Sequence, residues 1–154
     1  MEESLRNALS ELKRAEHSLF VSLKYTRTVD VIKHIIERLI ATIDYSIEVL
    51  LRHAKSQRRI AEVPTISRLR IEAVRALYPE DEMIRDFVAF YLKLRRMDKA
   101  KYEKSQEYRR HVTMTVHLDE GTEHVTIDMI QDFFEKTKEF VNHVKELIQS
   151  ESND

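Results

Sequence analysis

Arg95, Asp98 and Tyr102 stand at i, i+3 and i+7, a spacing that lines a guanidinium, a carboxylate and a phenol along one helical edge, with Arg96 beside them. Arginine presents a planar fork of donors matched to phosphate or carboxylate, and tyrosine adds a hydroxyl or a stacking ring. The four residues form a candidate ligand-binding set for a phosphate-bearing molecule. The same spacing also suits an internal Arg–Asp pair with Tyr102 closing the end of a core. His111, His117 and His124 gather near Asp119, and three imidazoles can hold zinc. They match no named metal motif, and solvated strand histidines account for them, so no metal or other cofactor is assigned.

Composition removes several other chemistries. The chain has no cysteine, which excludes disulfides, thiolate metal sites and cysteine nucleophiles. Its one glycine, Gly121, leaves nothing from which to build a Gly-rich phosphate loop or a nucleophile elbow. A Glu-x-x-His pair, the mark of a ferritin-like di-iron bundle, occurs nowhere. No catalytic residue is assigned, and any nucleotide or RNA must be held by Arg, Lys and Tyr side chains.

These groups need a scaffold, and the scaffold is written almost entirely for helix. Apolar residues recur at Leu5, Leu9, Leu12, Leu19 and Leu23 in a first helix over 3–25. From Val29 the stripe Ile32, Ile35, Ile36, Leu39, Ile40, Ile43, Ile47, Leu50, Ala54 predicts a second helix that must lie centrally. A connection over 55–66 leads to a short helix, capped by Thr65 or Ser67, that ends before Pro79. A fourth helix begins near Glu80 and carries the Arg95 edge. His111–Leu118 then alternates apolar and polar, and Asp119-Glu120-Gly121-Thr122 marks a tight turn. A β-hairpin over about 111–127 follows, then a last helix with Asp128 as N-cap and Gln131 three residues on. The expectation is a single domain over 1–154: mainly α, a five-helix up-and-down-type bundle with one β-hairpin inserted before the last helix.

Net charge is −1, yet two stretches are basic. Residues 52–75 hold seven Lys/Arg against Glu62 and Glu72, and residues 93–110 hold eight against Asp98, Glu103 and Glu107. Each has five positive charges in excess, enough to collect phosphates unless helix-surface acids take them. The polar start and the lack of a long apolar run point to a cytoplasmic chain without membrane insertion.

The chain resembles the HEPN family, small helical bundles found in prokaryotic toxin modules and nucleotide-binding proteins. The resemblance covers most of the chain: the helix through Ala41-Thr42-Ile43-Asp44-Tyr45 to His53-Ala54, the segment Tyr91-Leu92-Lys93-Leu94-Arg95-Arg96, and the closing helix with Phe133-Phe134 to Phe140-Val141. Active members carry a histidine four to six residues after an arginine; here that window holds none, and Tyr102 follows Arg96 with five residues between. The resemblance implies a non-catalytic branch. It also implies a homodimer whose arginine helices meet, with Arg95, Arg96 and Tyr102 lining a shared cleft for nucleotide or RNA. A divergent ribonuclease, with His111 as the nearest downstream base, and a protein–protein module that uses the hairpin are the alternatives.

Overall fold

The computed structural model describes residues 1–152. The described residues are mainly helical, with five helices and a small antiparallel sheet. Helix α1 comprises Glu2–His17, a π-helical turn Ser18–Ser22 and a last turn Leu23–Tyr25. Helices α2 (Val29–Ser56), α3 (Ser67–Leu77) and α4 (Glu82–Lys99) follow. The sheet strands are β1 (Lys101–Ser105), β2 (Thr113–Leu118) and β3 (Gly121–Val125), and α5 (Ile127–Ser152) closes the chain.

Helix α2 is central and touches every other helix and the sheet. Its isoleucines lower helix propensity by a few tenths of a kcal/mol each, whereas full burial of such a side chain contributes about 1.5–3 kcal/mol. Ile32, Ile35, Ile36, Leu39, Ile43 and Leu50 are all buried, so packing wins. The N-terminus of α2 is fixed by Thr28, whose hydroxyl accepts the Val31 N–H at 3.3 Å. Thr42 and Ser46 face the same core and satisfy their hydroxyls on the carbonyls of Arg38 and Thr42, so neither buried donor is stranded.

The expected hairpin is one half of a three-stranded meander, ordered β1-β2-β3. Strand β1, which pairs Tyr102 with Val116, departs from the expectation, because four of its five residues are exposed and it shows no alternating apolar pattern. Ion pairs tie the strands to the helices: Lys104 meets Asp30 at 2.9 Å, and Lys93 of α4 meets Glu123 at 2.6 Å. Charged residues along β1 also protect that outer edge against strand addition by a further chain. The caps differ from expectation as well. Thr126, not Asp128, receives the Met129 N–H at the start of α5, Asp81 caps α4, and neither Thr65 nor Ser67 caps α3, which starts after Ile66 without a side-chain cap.

The two-residue turn Asp119–Glu120 joins β2 to β3, with Leu118 opposite Gly121. Gly121 adopts φ +139°, a conformation open to glycine and strained for any other residue. Nothing lies within 4 Å of where its Cβ would sit, so a substitution there meets strain and no clash. Gly121→Ala is therefore expected to lower stability by about 1–3 kcal/mol in urea unfolding; a stability equal to the parent's would show that the turn tolerates any residue.

Candidate functional site

Helix α4 ends at Lys99, and Tyr102 lies on β1. The single edge expected for Arg95, Asp98 and Tyr102 therefore does not form, and the four candidate residues occupy three places. Asp98 is bound by Lys33 of α2, whose ammonium donates to the Asp98 carbonyl at 2.7 Å and to its carboxylate at 3.0 Å. The same ammonium stands 5.4 Å from the centre of the Tyr102 ring. Asp98 and Tyr102 thus share a lysine that fastens the end of α4 to α2, in place of the expected Arg–Asp pair. Arg96 reaches Glu120 in the β2–β3 turn at 3.1 Å.

Arg95 faces a different groove. Neighbouring helical positions differ by about 100° around the axis, so Arg95 and Arg96 point to separate surfaces. The groove lies between α3 and α4, has a volume of about 520 Å³, and is lined by Ile66, Ser67, Arg68, Ile71, Glu72, Arg75, Leu92 and Arg95. Arg68 and Glu72 make an exposed i, i+4 pair at 3.4 Å, which is of little energetic weight. Neither Arg75 nor Arg95 makes a direct ion pair among the described residues; Arg95 lies over the Tyr91 ring at 5.6 Å. Two guanidinium groups therefore border the groove beside Ile66, Ile71 and Leu92, with Arg95 also drawn toward the Tyr91 hydroxyl and the Asp44 charge behind it.

Behind Arg95, the buried Tyr91 donates its hydroxyl to Asp44 on α2. Burial pushes the Asp44 carboxyl above its ordinary value, against the pull of the Tyr91 hydrogen bond and of the Arg95 and Arg70 charges. Burial and the neighbouring Asp44 also push the Tyr91 phenol upward, so it stays a neutral donor. Arg70, by contrast, is occupied: its Nε donates to the Pro64 carbonyl at 2.6 Å, and its fork approaches Glu48, which also receives Arg52 at 3.1 Å.

Two other depressions suit an anion less well. One of about 690 Å³ at the α3–α4 connection is lined by Glu80, Asp81 and Glu82. Another of about 580 Å³, which contains Arg96, sets Lys93 and Lys136 against Asp86 and Asp132. The histidines disperse: His117 approaches Glu103 at 3.6 Å, His124 meets the Thr115 hydroxyl at 3.1 Å, and His111 lies in a depression with Arg27 and Arg110, away from Arg95. Among the described residues, no three His, Asp or Glu side chains are placed to hold a metal ion.

Sequence reasoning finds Arg95, on the helical face that Tyr91 shares, and misses Arg75, Arg68 and Asp44 as its neighbours. A signal for two of them exists, since Arg68 and Arg75 stand seven residues apart, two turns along one face of α3. No family model, curated protein or solved structure matches the chain. Among the described residues, no helix is long and apolar enough to cross a membrane.

The Asp44 environment sets a pH dependence. A carboxyl whose folded pKa lies above its unfolded value of 3.8 binds its proton more tightly in the native state, so stability falls as pH rises from that value through the folded pKa. Asp44→Asn keeps an acceptor for Tyr91 and removes the titration. Its stability relative to the parent is expected to increase as pH rises above about 4 in urea unfolding; a pH-independent difference would show that the Asp44 carboxyl titrates alike in both states.

Proposed function

We propose that this chain is a non-catalytic, HEPN-like helical protein that binds a nucleotide in the groove between α3 and α4. The observation that carries this reading is the pair Arg75 and Arg95, cations outside any direct ion pair among the described residues, in one groove lined also by Ile66, Ile71 and Leu92. Guanidinium groups in that position suit bidentate contact with phosphate oxygens, and Ile66, Ile71 and Leu92 suit the flat face of a base. The reading is one of binding, because the groove holds no histidine to serve as general base. Of the four candidate ligand residues, Arg95 keeps that role; Arg96, Asp98 and Tyr102 hold the sheet and α4 in place.

Charge-assisted hydrogen bonds contribute about 1.5–3 kcal/mol each. In calorimetric titration with mononucleotides, Arg75→Ala and Arg95→Ala are each expected to weaken binding roughly tenfold or more, whereas Arg96→Ala stays within about twofold of the parent. Equal losses at all three arginines, or no binding by the parent chain, would overturn the assignment.

The resemblance adds a homodimer to this reading. Sedimentation velocity at micromolar concentration is expected to give twice the chain mass of 18.4 kDa. A monomer would remove the dimer and leave the groove assignment standing on its own titration.

A further inference from the structure

At the N-terminal end of α2, the loop between β1 and β2 is fastened to the link between α1 and α2. The Tyr108 N–H donates to the Arg27 carbonyl at 2.6 Å, and the Glu107 carboxylate accepts the Val29 N–H at 3.1 Å. Glu107 thereby spends its charge on the first turn of α2, where the helix dipole favours an anion. The loop takes this course through positive φ at Gln106 (55°) and Tyr108 (64°), although neither is glycine. Backbone of this kind persists where the surroundings over-determine it, here through the hydrogen bonds of Glu107 and Tyr108.

What the loop presents is an aromatic ring in water. Tyr108 is 77% exposed and Tyr25, at the end of α1, is 79% exposed, and neither hydroxyl has a protein partner among the described residues. Tyr25 lies two residues before Arg27, the residue that holds Tyr108, so both rings belong to one end of the molecule. Around them stand Lys24, Arg27, Arg109 and Arg110, none of them in an ion pair among the described residues. A depression of about 370 Å³ runs beside the loop and is lined by Arg27, Arg110, His111, Thr126, Ile127 and Asp128. Arg27 also lines a smaller groove with Lys24, Phe20 and Leu23.

We propose that this end of the molecule, built on Tyr25 and Tyr108 with Lys24, Arg27, Arg109 and Arg110, is a binding platform for single-stranded nucleic acid. Exposed rings offer stacking surfaces to bases of any identity, and the surrounding cations follow the phosphate backbone. An acidic peptide would engage the cations but offers no regular series of flat rings to stack on both tyrosines. A duplex keeps its bases stacked on each other and out of reach of the rings. The platform is separate from the nucleotide groove: Val29 and Asp44 are fifteen residues apart on α2, about 22 Å at 1.5 Å per residue.

Fluorescence anisotropy with labelled twelve-nucleotide oligo-U RNA and oligo-dT DNA, in a salt series, tests the platform. Binding of either or both probes, weaker at higher salt, is expected. The double variant Tyr25→Ala/Tyr108→Ala should lower affinity roughly tenfold or more at fixed salt. Arg109→Ala/Arg110→Ala should instead flatten the dependence of log K on log salt, by about 0.7 for each phosphate that the variant no longer neutralises. Tyr108→Phe keeps the ring and should bind as the parent does. Absence of salt-sensitive binding, or a tyrosine double variant that binds both probes like the parent, would overturn the platform. Loss of oligonucleotide binding on Arg75→Ala and Arg95→Ala, with the platform variants unaffected, would move the strand into the α3–α4 groove and also overturn it.

Discussion

Burial of the apolar stripe of α2 is the interaction on which the rest of this structure depends. Ile32 through Leu50 contribute a row of fully buried branched side chains, and α1, α3, α4, α5 and β2 each pack against that helix. The stripe belongs to residues with modest intrinsic helix propensity, so α2 is stable as a helix because its neighbours cover it, and the neighbours are placed because they cover it. The ends of α2 then fix the ends of the molecule. Near its start lie Lys33, which holds Asp98 at the end of α4, and the Glu107 cap that positions the β1–β2 loop. Near its finish lies the buried His53, whose Nε2 is 3.1 Å from the Glu151 carboxylate; Arg59 reaches the same carboxylate and Tyr78 donates its hydroxyl to it. Burial and Glu151 both push the Tyr78 phenol upward, which keeps it protonated as the donor in that clasp.

The two basic stretches acquire their meaning from how their charges are spent. In residues 52–75, Arg52 and Arg70 turn to Glu48, Lys55 to Glu62, Arg59 to Glu151 and Arg68 to Glu72. In residues 93–110, Lys93, Arg96 and Lys104 turn to Glu123, Glu120 and Asp30. Many of these pairs are exposed and contribute little stability, yet they quench the local fields in which they sit. Arg75 and Arg95 in one groove, and Arg109 and Arg110 on one loop, are left without such partners among the described residues. Arg58, Lys99 and Lys101 are likewise outside any ion pair among the described residues, so the candidate sites draw on part of the unpaired remainder, and a count of Lys and Arg along the chain does not locate them.

Several features are legible in the sequence because their signals are local. The α2 stripe, the closing helix with Phe134 and Phe140, the alternation of Met114 and Val116, and the Gly121 turn all follow from side-chain periodicity or backbone freedom within a few residues. Strand β1 is not legible. Lys101-Tyr102-Glu103-Lys104-Ser105 carries one half-buried ring among polar residues, and it is extended because β2 offers it a ladder of hydrogen bonds. The same gap misplaces Tyr102: helical spacing continues on paper past Lys99, while the backbone turns to extended conformation at Ala100.

The sequence by itself determined which segments are helical, where the chain turns at its only glycine, and that no thiol or glycine-loop chemistry is open to it. Those properties depend on composition, or on residues within one or two turns of each other, where the covalent chain fixes who meets whom. The tertiary structure alone decided that Asp98 goes to Lys33, 65 positions away, that Glu107 caps a helix 78 positions away, and that Arg59 is drawn to Glu151 across 92. An arginine is open to a ligand only when no such distant acid reaches it. Which acids reach which arginines depends on the packing of whole helices around α2, so the candidate site became visible only in three dimensions.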